Sequence, residues 1–403
     1  MAMWWRRMTS FRTLSAITGY IGVIHLVMTL FKNEDTNRYH LDVITCRPAN
    51  FQIVSVESKN VSEEKIILLW TAFYRDLYFG LGKFGREPFI ERRCEARNCF
   101  LTNDRSMLDK ASAVVIHNRH HWRQSADRTI FGNRSNANQL FVYVSMESPG
   151  YTYLSRALPE SCQMMFNVTM TYRLDSDVPI PYGYVAKRSA NKSRDDYDVR
   201  NESAIERGRL ANKTRSVAWL VSHSDTISRR ETYVRVMSRF IDIDVYGKRG
   251  NQTCKHWRTD RCMAMIAQTY KFYLSFENSI CRDYVTEKYY RTLNYDLIPI
   301  VYGGANYGAL GPPGSYLDVY DFRSPRALAR YLRYLAANQS AYLEYFRWKF
   351  DYEVVYFDST AAAVANGFCR LCYLVNTDYR KTYDNICEWW HNGTCGQTIF
   401  DTI

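Results

Sequence analysis

Residues 272–288 read FYLSFENSICRDYVTEK and form the densest run of chemistry-bearing side chains in the chain. The apolar and aromatic residues up to Phe276 form a strand that ends in Glu277-Asn278; a short loop follows, and a helix opens near Asp283. Polar groups therefore gather where a strand gives way to a helix. Helix-terminal amides together with a lysine can hold a diphosphate and neutralise the charge it gains on leaving. Lys288 has that chemistry, and Glu287 beside it can bind sugar hydroxyls or steady positive charge on a donor sugar. By residue type alone, Thr286-Glu287-Lys288 suits the solvated first turn of an ordinary helix equally well.

Other clusters carry ligating residue types. His117, His120 and His121 (HNRHHW) lack carboxylate or cysteine partners at zinc-ligand spacing, which favours satisfied core histidines or histidines on the acceptor side of a site. Asp175-Ser176-Asp177 has the D-x-D form with which many glycosyltransferases hold a metal-bound nucleotide. Cys369 and Cys372 have the spacing of a redox pair or half a zinc site, and Cys254 and Cys262, flanking a short basic loop, suit a local pair.

These residues need elements to position them. From residue 217 the chain alternates strand 217–221 (VAWLV), helical stretch 228–240, strand 241–246, helix 261–269, strand 272–276, helix 284–295 and strand 297–302, closed by Gly303-Gly304. Such βαβ units predict an α/β fold with a parallel, doubly wound sheet, whose ligands bind at the carboxyl ends of the strands. A nucleotide site is expected near 221–229, 246–250 and 277–288. Upstream, 66–70, 113–116 and 140–145 are short apolar runs that read as buried strands. The mixed-charge segment 187–215 is nearly free of large apolar side chains and marks a boundary. Ser324-Pro325 opens a helical region to about residue 350, with Ser as N-cap and Pro at the first helical position.

Residues 14–31 (LSAITGYIGVIHLVMTLF) run without formal charge for the length of a membrane-spanning helix. Arg6, Arg7 and Arg12 precede the run while Lys32, Glu34 and Asp35 follow, so the lysine/arginine bias gives a single-pass, type II anchor. The run is too long for a cleaved signal peptide, and no small-residue cleavage site follows it. The expected plan is a cytoplasmic tail (1–13), a transmembrane signal-anchor (14–31), a stem (32–62), a first α/β domain (63–186), a linker (187–215), a second α/β domain (216–360) and a cysteine-containing tail (361–403). Eleven cysteines and the sequons at Asn60, Asn133, Asn167, Asn191, Asn201, Asn212, Asn251, Asn338 and Asn392 match an oxidising, glycosylating lumen. The odd cysteine count leaves one thiol over, with Cys46 the natural candidate. The net charge of +12 is scattered and accompanies no nucleic-acid motif, so a phosphate-bearing small ligand is expected rather than nucleic acid.

The block FYLSFENSICRDYVTEKYYRTLNYDLIPIVYGGANY resembles the signature of the α1,3/α1,4-fucosyltransferase family, which has the form F-x-L-x-F-E-N-S, then D-Y-[VI]-T-E-K, then P-[IV]-V-x-G. MESP at Met146 to Pro149, TYRLDSDVPIPYG at 171–183 and YLDVYDF at 316–322 extend the likeness over about 66–372. The resemblance implies a GT-B architecture, two Rossmann-like domains facing a cleft, with the acceptor held mainly by the first and GDP-fucose by the second. It implies inverting transfer of L-fucose from GDP-β-L-fucose to O3 of a GlcNAc residue in glycoprotein glycans, either at the N-glycan core or on an antenna. Glu147, just past the strand 140–145, matches the family's general base. Asn278, Tyr284, Glu287 and Lys288 match donor-binding positions, and Arg229 matches a phosphate-contacting arginine, with Arg230 adjacent.

Since Asp175-Ser176-Asp177 lies within a first-domain motif of the family, far from the donor block, the resemblance implies that no divalent metal or cofactor is required. It also implies structural disulfides at Cys369 and Cys372, with Cys94 and Cys99 as partners, and a Golgi membrane location with the catalytic part in the lumen. Two departures stand out: the segment between the domains is longer and more charged than is typical, and Ser222-His223-Ser224-Asp225 replaces a common Ser-Asn. The tail ICEWW is closer to invertebrate members. A non-catalytic Golgi protein that keeps the fold to bind glycans or partner enzymes is the competing reading.

Overall fold

Strands buried on both faces are apolar along their whole length, and the short apolar runs assemble in that way into two parallel sheets. The computed structural model describes residues 63–118, 138–152, 162–163, 165–188, 213–247, 250–254 and 260–400. The first sheet is built from β1 (Lys65–Leu69), β2 (Cys99–Thr102), β3 (Ala111–His117), β4 (Leu140–Ser145), β5 (Val168–Thr171) and β6 (Val178–Pro179). Its order is β2-β1-β3-β4-β5-β6, parallel throughout. Every residue of β4 is buried.

After β7 (Gly183–Lys187), the second sheet takes β8 (Arg215–Leu220), β9 (Ile243–Tyr246), β10 (Tyr270–Phe276), β11 (Ile298–Tyr302) and β12 (Leu317–Asp318) in the parallel order β12-β11-β10-β8-β9. The strand order reverses between β8 and β10, and in the first sheet between β1 and β3. Loops leaving the carboxyl ends of such strand pairs diverge and leave a crevice.

The connections are α1 (Arg230–Met237), α2 (Asp260–Thr269) and α3 (Glu287–Leu293). Both α1 and α3 start later than the sequence pattern indicates. Arg229 and Asp283 adopt left-handed backbone angles, φ +55° and +60°, so the chain turns sharply before each helix begins. Gly247, at φ +119°, is the residue that lets β9 turn away, because a Cβ there would overlap the Val221 carbonyl.

Ser324 caps α4 (Pro325–Ala337), its side chain accepting from the Ala327 amide at 3.2 Å. The helical region does not continue unbroken to residue 350: Asn338 ends α4 and its side chain caps a new short helix by accepting from Ala341 N at 3.0 Å.

The chain end returns to the first half. β13 (Tyr352–Tyr356) pairs antiparallel with β7, and α5 (Thr360–Val375) and α6 (Ile386–His391) bury Phe368, Leu371, Ile386 and Trp390 in the core of the first sheet. Cys94 and Cys99 are the partners of the two tail cysteines, as the family resemblance implies, and the structure pairs them as Cys94–Cys369 and Cys99–Cys372; Cys162–Cys387 and Cys281–Cys395 add two more ties to the tail. Cys254 and Cys262 do not form the local pair that their spacing suggests; both are free thiols, with burial pushing the Cys262 thiol up to about 12.

The anchor at 14–31, the stem, Cys46, His120, His121 and residues 189–212 lie outside the described residues. No helix among the described residues is long and apolar enough to cross a membrane.

Candidate active site

Glu277 closes β10 and is fully buried, so its charge must be met by donors. Its carboxylate accepts from Thr286 N at 2.8 Å and Thr286 Oγ1 at 3.0 Å, and it pairs with Lys288 Nζ at 3.2 Å. Lys288 also donates to Thr286 Oγ1 at 2.6 Å and stands 3.3 Å from Glu287. Burial would drive Lys288 towards its neutral form, but Glu277 and Glu287 outweigh it and hold the ammonium protonated, above the usual lysine range. Burial pushes the Glu277 carboxyl up against the pull of Lys288 and Thr286. For Glu287, which opens partly onto the cleft, burial is overcome by the charges of Lys288 and Arg291, and its carboxyl is held below the ordinary glutamate range.

The main chain of Glu277 also anchors the approach to α1. Ser228 Oγ donates to Glu277 O at 2.7 Å, Ser228 N donates to Asn278 O at 3.0 Å, and Tyr302 Oη donates to Ser228 O at 3.0 Å. Arg230 is thereby buried beneath β8 and β10, with Nη1 donating to Phe276 O at 2.6 Å and its guanidinium 5.6 Å from the Trp219 ring centre.

From the first sheet, Glu147 follows β4 through Met146. Tyr182 Oη donates to Met146 O at 2.6 Å, and Tyr74 Oη donates to Glu147 Oε1 at 2.9 Å. A bond between Ser148 Oγ and Ser279 Oγ, 2.6 Å long, joins this loop to the one after β10.

These pieces enclose one cleft of about 380 Å³ lined by Glu147, Tyr182, Arg230, Asn278, Tyr284, Thr286, Glu287, Lys288 and Arg291. Glu147 and Glu287 both act on the buried Tyr182 and Tyr284 phenols, which burial and these carboxylates push well above the usual tyrosine range. Two atoms on the cleft residues, Asn278 Oδ1 and Arg291 Nε, are buried without hydrogen-bond partners among the described residues. Buried polar atoms left in this state are what a ligand would satisfy. A second cavity of about 450 Å³ adjoins the cleft at Val221, Ser222 and His223 and runs between β8, β9 and α1 past Trp219, Glu231, Arg235 and Asn251.

The structure thus brings together Glu147, Asn278, Tyr284, Glu287 and Lys288. Arg229 does not line the cleft; its guanidinium sits 5.3 Å from the Phe400 ring centre, and its neighbour Arg230 faces the cleft instead. Arg291 and Tyr74 were not singled out by spacing, and Glu277 and Thr286 were marked only as the end of the strand and the start of the helix, without a role of their own. Tyr74 carries no signal in the sequence.

Asp175 and Asp177 are occupied structurally. Asp175 bridges Arg173 at 2.7 Å and Arg282 at 2.6 Å, while Asp177 accepts from Thr169 N, Tyr379 and Lys381, each at 2.7 Å. No group of three or more metal-ligating side chains occurs among the described residues. His117 is buried at the end of β3, with its Nδ1 accepting from Tyr74 N at 3.4 Å.

The chain matches two family models, "Glycosyltransferase family 10 (fucosyltransferase) C-term" over residues 210–389 and "Fucosyltransferase, N-terminal" over residues 62–183. It is 34% identical to Alpha-(1,3)-fucosyltransferase C of Drosophila melanogaster over 352 residues, covering 82% of this chain and 79% of that one. It is 33% identical to Alpha-(1,3)-fucosyltransferase fut-1 of Caenorhabditis elegans over 349 residues, covering 85% and 73%. A crystal structure of an α1,3-fucosyltransferase aligns over 80% of this chain and 94% of that one at 15% identity, with a TM-score of 0.45.

Proposed function

The chain belongs to the family-10 fucosyltransferases and is an α1,3-fucosyltransferase, and from that premise we propose that the cleft between its two sheets binds GDP-β-L-fucose and a GlcNAc-bearing glycan of a glycoprotein. The observation that carries the reading is the placement of charge: Arg230 and Lys288 on the second-sheet side, Glu147 on the first-sheet side, around one cavity.

In this reading the diphosphate lies against Lys288 and Arg230. Protonated Lys288 and the Arg230 guanidinium, itself paired with Glu231 at 3.3 Å, offset the negative charge that GDP gains as it departs, in the role a divalent metal has elsewhere. The adjoining cavity by Trp219 has room for the nucleoside, and Glu287, Asn278 and Tyr284 face the fucose. Glu147 takes the proton from the acceptor O3 as that oxygen attacks the anomeric carbon; the bond from carbon to the phosphate oxygen breaks, and GDP leaves with its electron pair. One displacement from a β-linked donor gives the α product. The two parallel sheets, each with a crevice at its switch point, fit a GT-B arrangement. The four disulfides and the exposed sequons Asn251 and Asn392 suit a Golgi-luminal enzyme held by the 14–31 anchor.

The test is transfer from GDP-fucose to a panel of GlcNAc-terminated acceptors, with linkage assigned by mass spectrometry. α1,3-Fucosylated product on core or antennal GlcNAc is the expected result. Nucleotide binding without transfer to any acceptor would favour a non-catalytic glycan-binding role.

A further inference from the structure

The phenol of Tyr74 reaches Glu147 from a segment 73 residues upstream, and the local chain is shaped to deliver it. Tyr74 follows β1 with a left-handed backbone, φ +57°, unusual for an aromatic residue. Reciprocal 2.9 Å bonds between the main chains of Phe73 and Asp76 close the turn, and the Asp76 side chain steadies the next residues by accepting from Tyr78 N at 2.8 Å and Gly80 N at 2.7 Å. The Tyr74 ring packs 4.9 Å from both Phe73 and His117. His117 is itself fixed, its amide donating to Thr71 Oγ1 at 2.8 Å. The frame therefore consists of the carboxyl ends of β1 and β3, the switch point of the first sheet, and it aims one hydroxyl at the carboxylate beyond β4.

We propose that Tyr74 is a positioning residue for the proton-accepting step. The inference rests on the reading of Glu147 as the base. With Oε1 held by the phenol, the carboxylate is locked in one rotamer, and Oε2 is left to meet the acceptor hydroxyl. Misplacement of a reacting group by about 1 Å costs on the order of 100-fold in rate, so fixing this rotamer is a kinetic device. The phenol remains a donor to Oε1 after Oε2 takes the proton, and no proton leaves Tyr74.

The experiment compares Y74F, E147Q, E147D and the double variant Y74F/E147D in the intact chain, measuring kcat, KM for GDP-fucose and acceptor, GDP affinity and thermal midpoint. Y74F is expected to lower kcat by ~10–100-fold, with both KM values and the GDP affinity within about 2-fold and the midpoint nearly unchanged. In E147D the carboxylate is withdrawn from the phenol, so adding Y74F should cost less than about 2-fold, the non-additivity of two groups acting as one unit. Wild-type kcat in Y74F, with E147Q inactive, overturns the role of Tyr74 and leaves the base in place. An active E147Q removes the base and Tyr74's role with it. A loss in Y74F that recurs undiminished in the E147D background shows that Tyr74 acts elsewhere and also overturns the proposal.

Discussion

Glu277 stands 3.2 Å behind Lys288, with the carboxylate fully buried and the ammonium at the cleft wall. The cation is thus held from the protein side by a charge that never meets solvent. Its other carboxylate neighbour, Glu287, lies on the cleft side at 3.3 Å. A diphosphate approaching Lys288 meets an ammonium already protonated and already aimed.

Replacing Glu277 by Gln tests that arrangement. The amide preserves shape and can still accept from Thr286, but Lys288 loses its buried counter-charge. GDP affinity is expected to fall by ~10-fold, about 1.4 kcal/mol, and the chain to lose about 2 kcal/mol of stability, since half a buried pair is left behind. Calorimetric titration with GDP and thermal denaturation read the two effects. Unchanged affinity would show that Lys288 does not depend on Glu277.

The two sides of the cleft should separate kinetically. Glu147→Gln removes a group that acts only as the proton moves, so transfer is expected to drop by ~100- to 10,000-fold while GDP affinity stays within about 3-fold. Lys288→Ala removes a charge felt by bound and departing diphosphate alike, so affinity and turnover fall together. Single-turnover rates alongside GDP binding distinguish them; a Glu147→Gln enzyme that keeps substantial activity eliminates that residue as the base.

The elements bearing the Lys288 side of the cleft were legible because β8, β10 and β11 are near-continuous apolar runs, and the parallel order followed from their alternation with helices. The tail's return to the first sheet was legible only through the cysteines that bind it there. What escaped was decided by single backbone angles. At Arg229 the left-handed turn rotates the helix start, sending that side chain towards Phe400 and Arg230 beneath Trp219. No periodicity distinguishes two adjacent arginines before that turn is known. Tyr74 escaped for the same reason, compounded by the sequence distance to its partner. The partners of Glu277 depend on where α3 begins, and Asp283 delays that start to Glu287.

The adjacent arginines therefore offer a direct comparison. Arg230→Ala is expected to lower kcat/KM for GDP-fucose by ~10-fold or more, because the buried guanidinium both faces the cleft and ties α1 to the Phe276 carbonyl. Arg229→Ala should cost less than about 3-fold, a loss of ring contact outside the cleft. Arg230→Lys keeps the charge and loses the fork, so its intermediate rate would separate electrostatics from geometry. Equal losses in the two alanine variants would return Arg229 to the donor site.

Asp318, at the end of β12, gives a pH signature independent of catalysis. Burial pushes its carboxyl from the usual 3.8 up to about 6, with the Tyr320 amide opposing and Asp321 adding to the shift. The folded chain therefore holds this proton more tightly than the unfolded chain does. The favourable protonated state is lost as pH rises from near 4 through about 6, and above that the ionised group costs stability. Asp318→Asn cannot ionise yet keeps an acceptor for Tyr320 N, 3.0 Å away. Its thermal midpoint should exceed that of the wild type by ~2–4 °C at pH 7.5, and the two should converge towards pH 4. Thermal scans across that range read the difference directly. A gap independent of pH, or a variant less stable at pH 7.5, would show that Asp318 is not strained by its charge.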